Sequence, residues 1–256
     1  MWIDNIDDNR DLMSKNVASK DPAKHVDLSP DEMEMIRKTT GYLICRNSVV
    51  TADLEEPDVV VVPMHTFKKW DGLSHCTFRS FAGVSVDVNL EDAKYFILTW
   101  LENPKDYYTD MIALRLSWPV KGIDSTKMIS YPSWPYEFRR NQTLIIVSGG
   151  QDDWDAIHQM PWEKMTEPLV YMCQAKFLSV EKTGEVLETN CAADSGGSGA
   201  KAYVRKQDGT LLKVAMLVGI INQGEKGESF ANGSPYAFDK FASAFLVLDT
   251  SKFIAH

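Results

Sequence analysis

The sequence predicts an all-β protein made of two strand-rich halves, each a sheet closed into a barrel. Three observations carry this expectation. Short apolar or alternating runs recur from Gly41 onward with turn residues between them. No amphipathic helices intervene that would cover a parallel sheet. A Pro/Trp-rich connection from Pro119 to Pro135 separates an earlier group of runs from a later one. The chain's 256 residues suffice for one large domain or two small barrels sharing a core. With 44% apolar and 25% charged residues, disordered, collagen-like and low-complexity readings are excluded.

Taken in order, residues 1–28 are polar and aperiodic and read as an arm over the surface. Ser29-Pro30-Asp31-Glu32 is a helix start: Ser29 is the N-cap, Pro30 takes the first helical position, Glu32 closes a capping box, and Gly41 marks the stop. The strand-like runs of the first half are Tyr42 to Cys45, Val59 to Val62, Cys76 to Phe81, Val84 to Val88, Tyr95 to Leu98 and Met111 to Leu116. Those of the second half are Thr143 to Val147, Leu169 to Phe177, Ala202 to Arg205, Lys213 to Ile221 and Ser234 to Phe238. Phe238, Phe241 and Phe245 have helical spacing and point to a terminal helix, although Phe245 to Leu248 also suits a strand. The expected division is an arm and helix over 1–40, a first barrel over 41–125, and a second barrel with the C-terminal segment over 126–256.

Charge narrows the partners. The formal net charge is −9 and no Lys/Arg cluster interrupts it, so a nucleic-acid backbone finds no electrostatic footprint. No apolar run approaches the ~20 residues of a membrane span. The opening Met1-Trp2-Ile3-Asp4-Asn5 has neither a basic nor an apolar region, so a secretion signal was removed or never existed. The four cysteines lack zinc-site spacing. Of their three possible connectivities, the favoured one joins near neighbours, Cys45 to Cys76 and Cys173 to Cys191. Four reduced thiols in a cytosolic protein are the alternative. Asp152-Asp153-Trp154-Asp155 followed by His158 reads as a solvated acidic loop, since it lacks the glycine-turned layout of a calcium loop.

Chemistry concentrates in Ala192 to Ala200, a run of small residues whose reactive groups are Asp194, Ser195 and Ser198. A nucleophilic serine in acyl transfer needs main-chain N–H groups converging on one point. That requires unusual backbone and therefore glycine, which Gly196, Gly197 and Gly199 supply. A serine also needs a base, and His65 follows the apolar run Val59 to Val62 where a chain leaves its sheet. His75 is a weaker rival because it follows the turn-like Asp71-Gly72-Leu73-Ser74. A carboxylate to orient the imidazole stands at Asp110, before the run Met111 to Leu116.

Together these segments resemble the trypsin/chymotrypsin-like serine protease family, in the chain order His, Asp, Ser. Val-Val-Pro-Met-His65 resembles the family's strand ending in Ala-Ala-His, and Asp110-Met-Ile-Ala-Leu-Arg-Leu resembles Asp-Ile-Ala-Leu-Leu-Lys-Leu. Gly196-Gly197-Ser198-Gly199-Ala200 resembles Gly-Asp-Ser-Gly-Gly, and Val218-Gly219-Ile220-Ile221-Asn222-Gln223-Gly224 resembles the cleft strand Val-Gly-Ile-Val-Ser-Trp-Gly. The resemblance spans roughly residues 40 to 245 and has the look of a bacterial, secreted-type branch. It implies two antiparallel six-stranded barrels of chymotrypsin-like type and a secreted or periplasmic serine endopeptidase acting on polypeptides, with no cofactor. It makes Ser198 the nucleophile, His65 the base and Asp110 its partner. It also gives an oxyanion hole from the N–H groups of Gly196 and Ser198, and a substrate cleft at Ala192, Asn222, Gln223 and Gly224.

A second register, Ala193-Asp194-Ser195-Gly196-Gly197, resembles the same motif with its first glycine lost. Ser198 is preferred because its register keeps a glycine at Gly196 and runs through Lys201 into Ala202-Tyr203-Val204. The sequence departs from the family at Pro63-Met64, at Asn222-Gln223 and at Lys201. Ala192 stands where trypsin-like members carry Asp, which gives no support for Arg or Lys specificity, and the cleft strand lacks the histidine of glutamate-specific members. A catalytically silent binding module of the same fold and a viral polyprotein-processing protease are the alternatives.

Overall fold

The computed structural model describes residues 26, 28–45, 48–63, 65, 75–89, 110–132, 136, 138, 142–149, 168–181, 184–189, 197–222 and 241–247. Helix α1 spans Pro30–Thr39 and starts as its sequence dictates. Ser29 Oγ accepts from Glu32 N at 3.2 Å, and Glu32 Oε2 accepts from Ser29 N at 2.7 Å. The chain then enters six antiparallel strands: β1 (Thr40–Cys45), β2 (Ser48–Glu56), β3 (Val59–Val62), β4 (Cys76–Ser80), β5 (Ser85–Asp87) and β6 (Ile112–Arg115). Their order in the sheet is β5-β4-β1-β2-β3-β6. The sheet curls until its edges meet at a Val88–Leu116 bridge, backed by hydrogen bonds from Asn89 N to Arg115 O and from Ser117 N to Asp87 O.

The second half comprises β7 (Thr143–Ser148), β8 (Leu169–Glu181), β9 (Gly184–Thr189), β10 (Lys201–Arg205), β11 (Leu211–Asn222) and β12 (Phe241–Val247), closed as β10-β11-β12-β9-β8-β7. The all-β, two-barrel expectation therefore holds. Two expected strands, Tyr95 to Leu98 and Ser234 to Phe238, lie outside the described residues. The terminal-helix expectation is overturned for Phe241–Val247, which is strand: it pairs with β11 on one side and β9 on the other. Phe245 and Val247, two apart, enter the core on a period of two rather than a helical one.

Each barrel has its own apolar core, and strand alternation decides what else is buried. In β2, Val50, Ala52 and Leu54 fill the first barrel, together with Leu43, Val60, Phe78 and Leu114. The intervening Thr51, Asp53 and Glu55 face the other way, toward the second barrel. In β10, Ala202 and Val204 line the second barrel's core, while Lys201 and Tyr203 are buried outside it. The two outer faces meet in a polar seam. Asp53, fully buried, accepts hydrogen bonds from Thr40 Oγ1 (2.5 Å) and from Lys213 Nζ of β11. Lys213 also donates to Leu54 O at 3.2 Å and Glu55 Oε2 at 3.4 Å, and lies 5.3 Å from the Tyr131 ring centroid. Tyr131 donates its hydroxyl to Glu55.

Burial penalises every charge in this seam. It draws the Lys213 ammonium down, but Asp53 and Glu55 more than reverse it and hold Lys213 protonated well above its ordinary range. Lys201 Nζ has no hydrogen-bond partner among the described residues, and burial brings it to about 8. Burial, reinforced by the Asp53 charge, lifts Glu55 to about 7 against the pull of the two lysines. α1 is tied across the same region: Arg205 Nη1 and Nη2 grip Glu32 at 2.8 and 2.9 Å, and Ile36 is fully buried beside Ile145, Val147 and Tyr203. Among the described residues, a disulfide joins Cys45 to Cys76, which face each other across β1 and β4. Cys191 lies outside the described residues, and with it the expected Cys173–Cys191 pairing.

Removing one partner of a buried ion pair strands the other. Asp53→Asn is expected to lower the unfolding free energy by about 3–5 kcal/mol in urea titrations, and Asp53→Leu combined with Lys213→Met to lower it far less. Glu55 binds its proton more tightly folded than unfolded, so its contribution to stability is full below about pH 4.5, declines as pH rises toward 7 and is flat above. In Glu55→Gln that decline should vanish, so the stability difference between variant and parent grows across this window and then levels off.

Candidate active site

Antiparallel register brings His65 and Asp110 together. Val62 faces Ile112 in the β3–β6 ladder, so the residues just past the end of β3 lie beside those just before β6. Asp110, 2% exposed, receives two hydrogen bonds from one residue. The main-chain N–H of His65 donates to Oδ1 at 2.6 Å, and the ring Nδ1 meets Oδ2. This double contact fixes both the position of His65 and its ring orientation. With its Nδ1 proton directed at a carboxylate, neutral imidazole presents an unprotonated Nε2 on the opposite edge.

That edge faces Ser198, whose Oγ lies 3.2 Å from His65 Nε2. Ser198 is carried by a tight turn closed by Ala200 N donating to Gly197 O at 2.8 Å, from which the chain enters β10. Gly199 has φ +89°, where side chains are strained, and a Cβ there would lie 1.9 Å from Thr51 O. The glycine is required twice over, by its conformation and by the approach of β2. Gly199 N donates to Leu217 O at 2.9 Å, and Thr51 N donates to Ser198 O at 3.0 Å, so strands of both barrels hold the turn.

The structure thus assembles His65, Asp110 and Ser198 into one carboxylate–imidazole–hydroxyl chain spanning the barrel junction. Such a chain can draw a proton from the hydroxyl while a buried carboxylate stabilises the imidazolium. Ser195, Gly196, Ala192, Gln223 and Gly224 lie outside the described residues, as do Asp152 to His158. Asn222 ends β11. His75 is exposed, with φ 60°, and directly precedes β4. Lys201, read above as a departure from the family motif, sits in the polar seam. Tyr42, Thr51 and Gly149, which hold the surroundings of Ser198, were not singled out by the sequence. Of the three, only Tyr42 falls in an expected element, as the first residue of the Tyr42 to Cys45 run.

No protein-family model matches the chain, and no curated protein matches it. Solved structures do. An inactive serine-to-alanine mutant of Rv3671c from M. tuberculosis superposes with a TM-score of 0.54 and 11% identity, covering 92% of this chain and 91% of the other. A Glu endopeptidase in complex with MPD gives a TM-score of 0.54 and 10% identity, covering 89% of each chain. The inactive form of the Rv3671c protease gives 0.54 and 9%, covering 88% of this chain and 93% of that one. These similarities run nearly the full length of the chain and define its architecture as the chymotrypsin-like two-barrel fold.

Gly199→Ala is expected to cost more than about 2 kcal/mol in stability, because backbone strain and a clash with main-chain oxygen act together. Thermal unfolding of the purified variant against its parent measures this.

Proposed function

We propose that the chain is a serine endopeptidase that hydrolyses peptide bonds through an acyl-enzyme. The observation that carries this reading is the 3.2 Å approach of His65 Nε2 to Ser198 Oγ, with the opposite ring nitrogen held by buried Asp110. The chymotrypsin-like fold and the protease names of its structural neighbours support it. Ser198 Oγ attacks the scissile carbonyl carbon as its proton passes to His65 Nε2. The tetrahedral intermediate collapses when His65 returns that proton to the leaving amine. A water molecule, deprotonated by the same imidazole, then attacks the ester carbonyl, and collapse of the second intermediate frees the acid and restores the Ser198 hydroxyl. Asp110 keeps the ring in the productive tautomer throughout. The oxyanion is assigned to the N–H groups of Gly196 and Ser198, and the polypeptide's side chain to the cleft at Ala192 and Asn222 to Gly224, both on the strength of the family resemblance.

A secreted or periplasmic location accompanies this reading. The Cys45–Cys76 disulfide supports it, since such bonds persist in oxidising compartments. The same bond speaks against a polyprotein-processing enzyme working in a reducing cytosol.

Intact-mass measurement after incubation with a fluorophosphonate tests the assignment. The native chain should gain a single adduct that Ser198→Ala abolishes and Ser195→Ala leaves intact. Loss in Ser195→Ala alone moves the nucleophile, and absence of any adduct on the native chain removes the peptidase reading. Asp110→Asn should slow hydrolysis of an unfolded protein substrate by roughly 10⁴-fold, because the imidazole then adopts the wrong tautomer.

A further inference from the structure

Resting on the peptidase reading, we propose that Tyr42 and the Thr51 side chain are positioning residues that set Ser198 against His65 through Gly149. His65 and Asp110 belong to the first barrel and Ser198 to the second, so the 3.2 Å between imidazole and hydroxyl is only as well defined as the alignment of the two barrels. Near Ser198 that alignment rests on a closed circuit of hydrogen bonds. Thr51 N donates to Ser198 O at 3.0 Å. Thr51 Oγ1 accepts from Gly149 N at 2.8 Å, just past the end of β7. Gly149 O in turn accepts from Tyr42 Oη at 2.8 Å.

The circuit closes because Tyr42 and Thr51 are direct cross-strand partners in the β1–β2 ladder. Both polar groups of one second-barrel peptide residue are therefore gripped by adjacent first-barrel side chains, and one of those residues also holds the carbonyl of Ser198. Gly149 has no room for a side chain, since a Cβ there would lie 2.4 Å from the Tyr42 ring. Tyr42 is itself fixed, 3% exposed and edge-on to Phe81 at 5.2 Å between ring centroids. Burial raises its phenol above the ordinary range, so it keeps the proton it donates. Removing the Tyr42 hydroxyl, or the acceptor on Thr51, frees one end of Gly149 and loosens the contact that registers the Ser198 turn. Misplacement of a nucleophile affects the reacting step rather than binding of the reagent.

The experiment compares native protein with Tyr42→Phe, Thr51→Val and Thr51→Ser. It measures fluorophosphonate labelling at saturating and subsaturating reagent, together with amide hydrogen exchange over 197–200. Tyr42→Phe and Thr51→Val should each lower the maximal labelling rate per folded molecule by roughly tenfold, with half-saturation unchanged within about twofold. Their combination should be no slower than the slower single variant, and Thr51→Ser should restore the native rate. Exchange at 197–200 should quicken in the two impaired variants. Unchanged labelling in both, or effects that multiply in the double variant, overturns the proposal and leaves these residues a structural role alone. If the native chain does not label, the peptidase reading fails separately and exchange decides: faster exchange in both variants sustains the positioning of the Ser198 turn, and unchanged exchange overturns it.

Discussion

The two barrels are joined through a face that carries charge, and the pair that makes this tolerable is Asp53 with Lys213. A strand that packs apolar side chains into its own barrel must turn its alternate residues outward. In β2 those are Thr51, Asp53 and Glu55, which meet Lys201, Tyr203 and Lys213 instead of water. Desolvated carboxylates and ammonium groups can be buried only when matched in sign and number. Asp53 and Lys213 meet that condition as a pair, burial brings Glu55 and Lys201 toward their neutral forms beside them, and everything attached to β2 and β10 inherits this alignment. The turn bearing Ser198 runs straight into Lys201, and its carbonyl is held by the residue two before Asp53.

How far the sequence discloses this can be read from particular residues. The capping box at Ser29 and Glu32, the Val59 to Val62 strand with His65 beyond it, and the run after Asp110 were legible because each is a local pattern. Two of them needed only an antiparallel pairing to bring their ends together. Strand β2 was not legible. Its Thr51, Asp53 and Glu55 look like a solvated face, since alternation reveals which side differs but not what covers it. Phe241 and Phe245 misled for the reverse reason, because residues four apart share one face in helix and strand alike.

The site itself was legible in its members and not in its scaffold. Histidine, aspartate and serine in that order are carried by motifs, whereas the contacts that hold them join residues from distant parts of the chain. Tyr42 and Gly149 are 107 residues apart, and Thr51 and Gly149 are 98 apart. Such contacts exist only after both barrels have formed.

The Glu32 carboxylate closes the capping box of α1 with one oxygen and accepts a fork of donors from Arg205 with both. These two functions become available at different moments in the life of the chain. The cap is complete within three residues and can form as soon as the segment leaves the ribosome. Arg205 lies 173 residues later and is synthesised long after the cap. The cap therefore has all its partners long before the clamp does, and the apolar side of the helix finds the neighbours that bury Ile36 only once Ile145, Val147 and Tyr203 have been made.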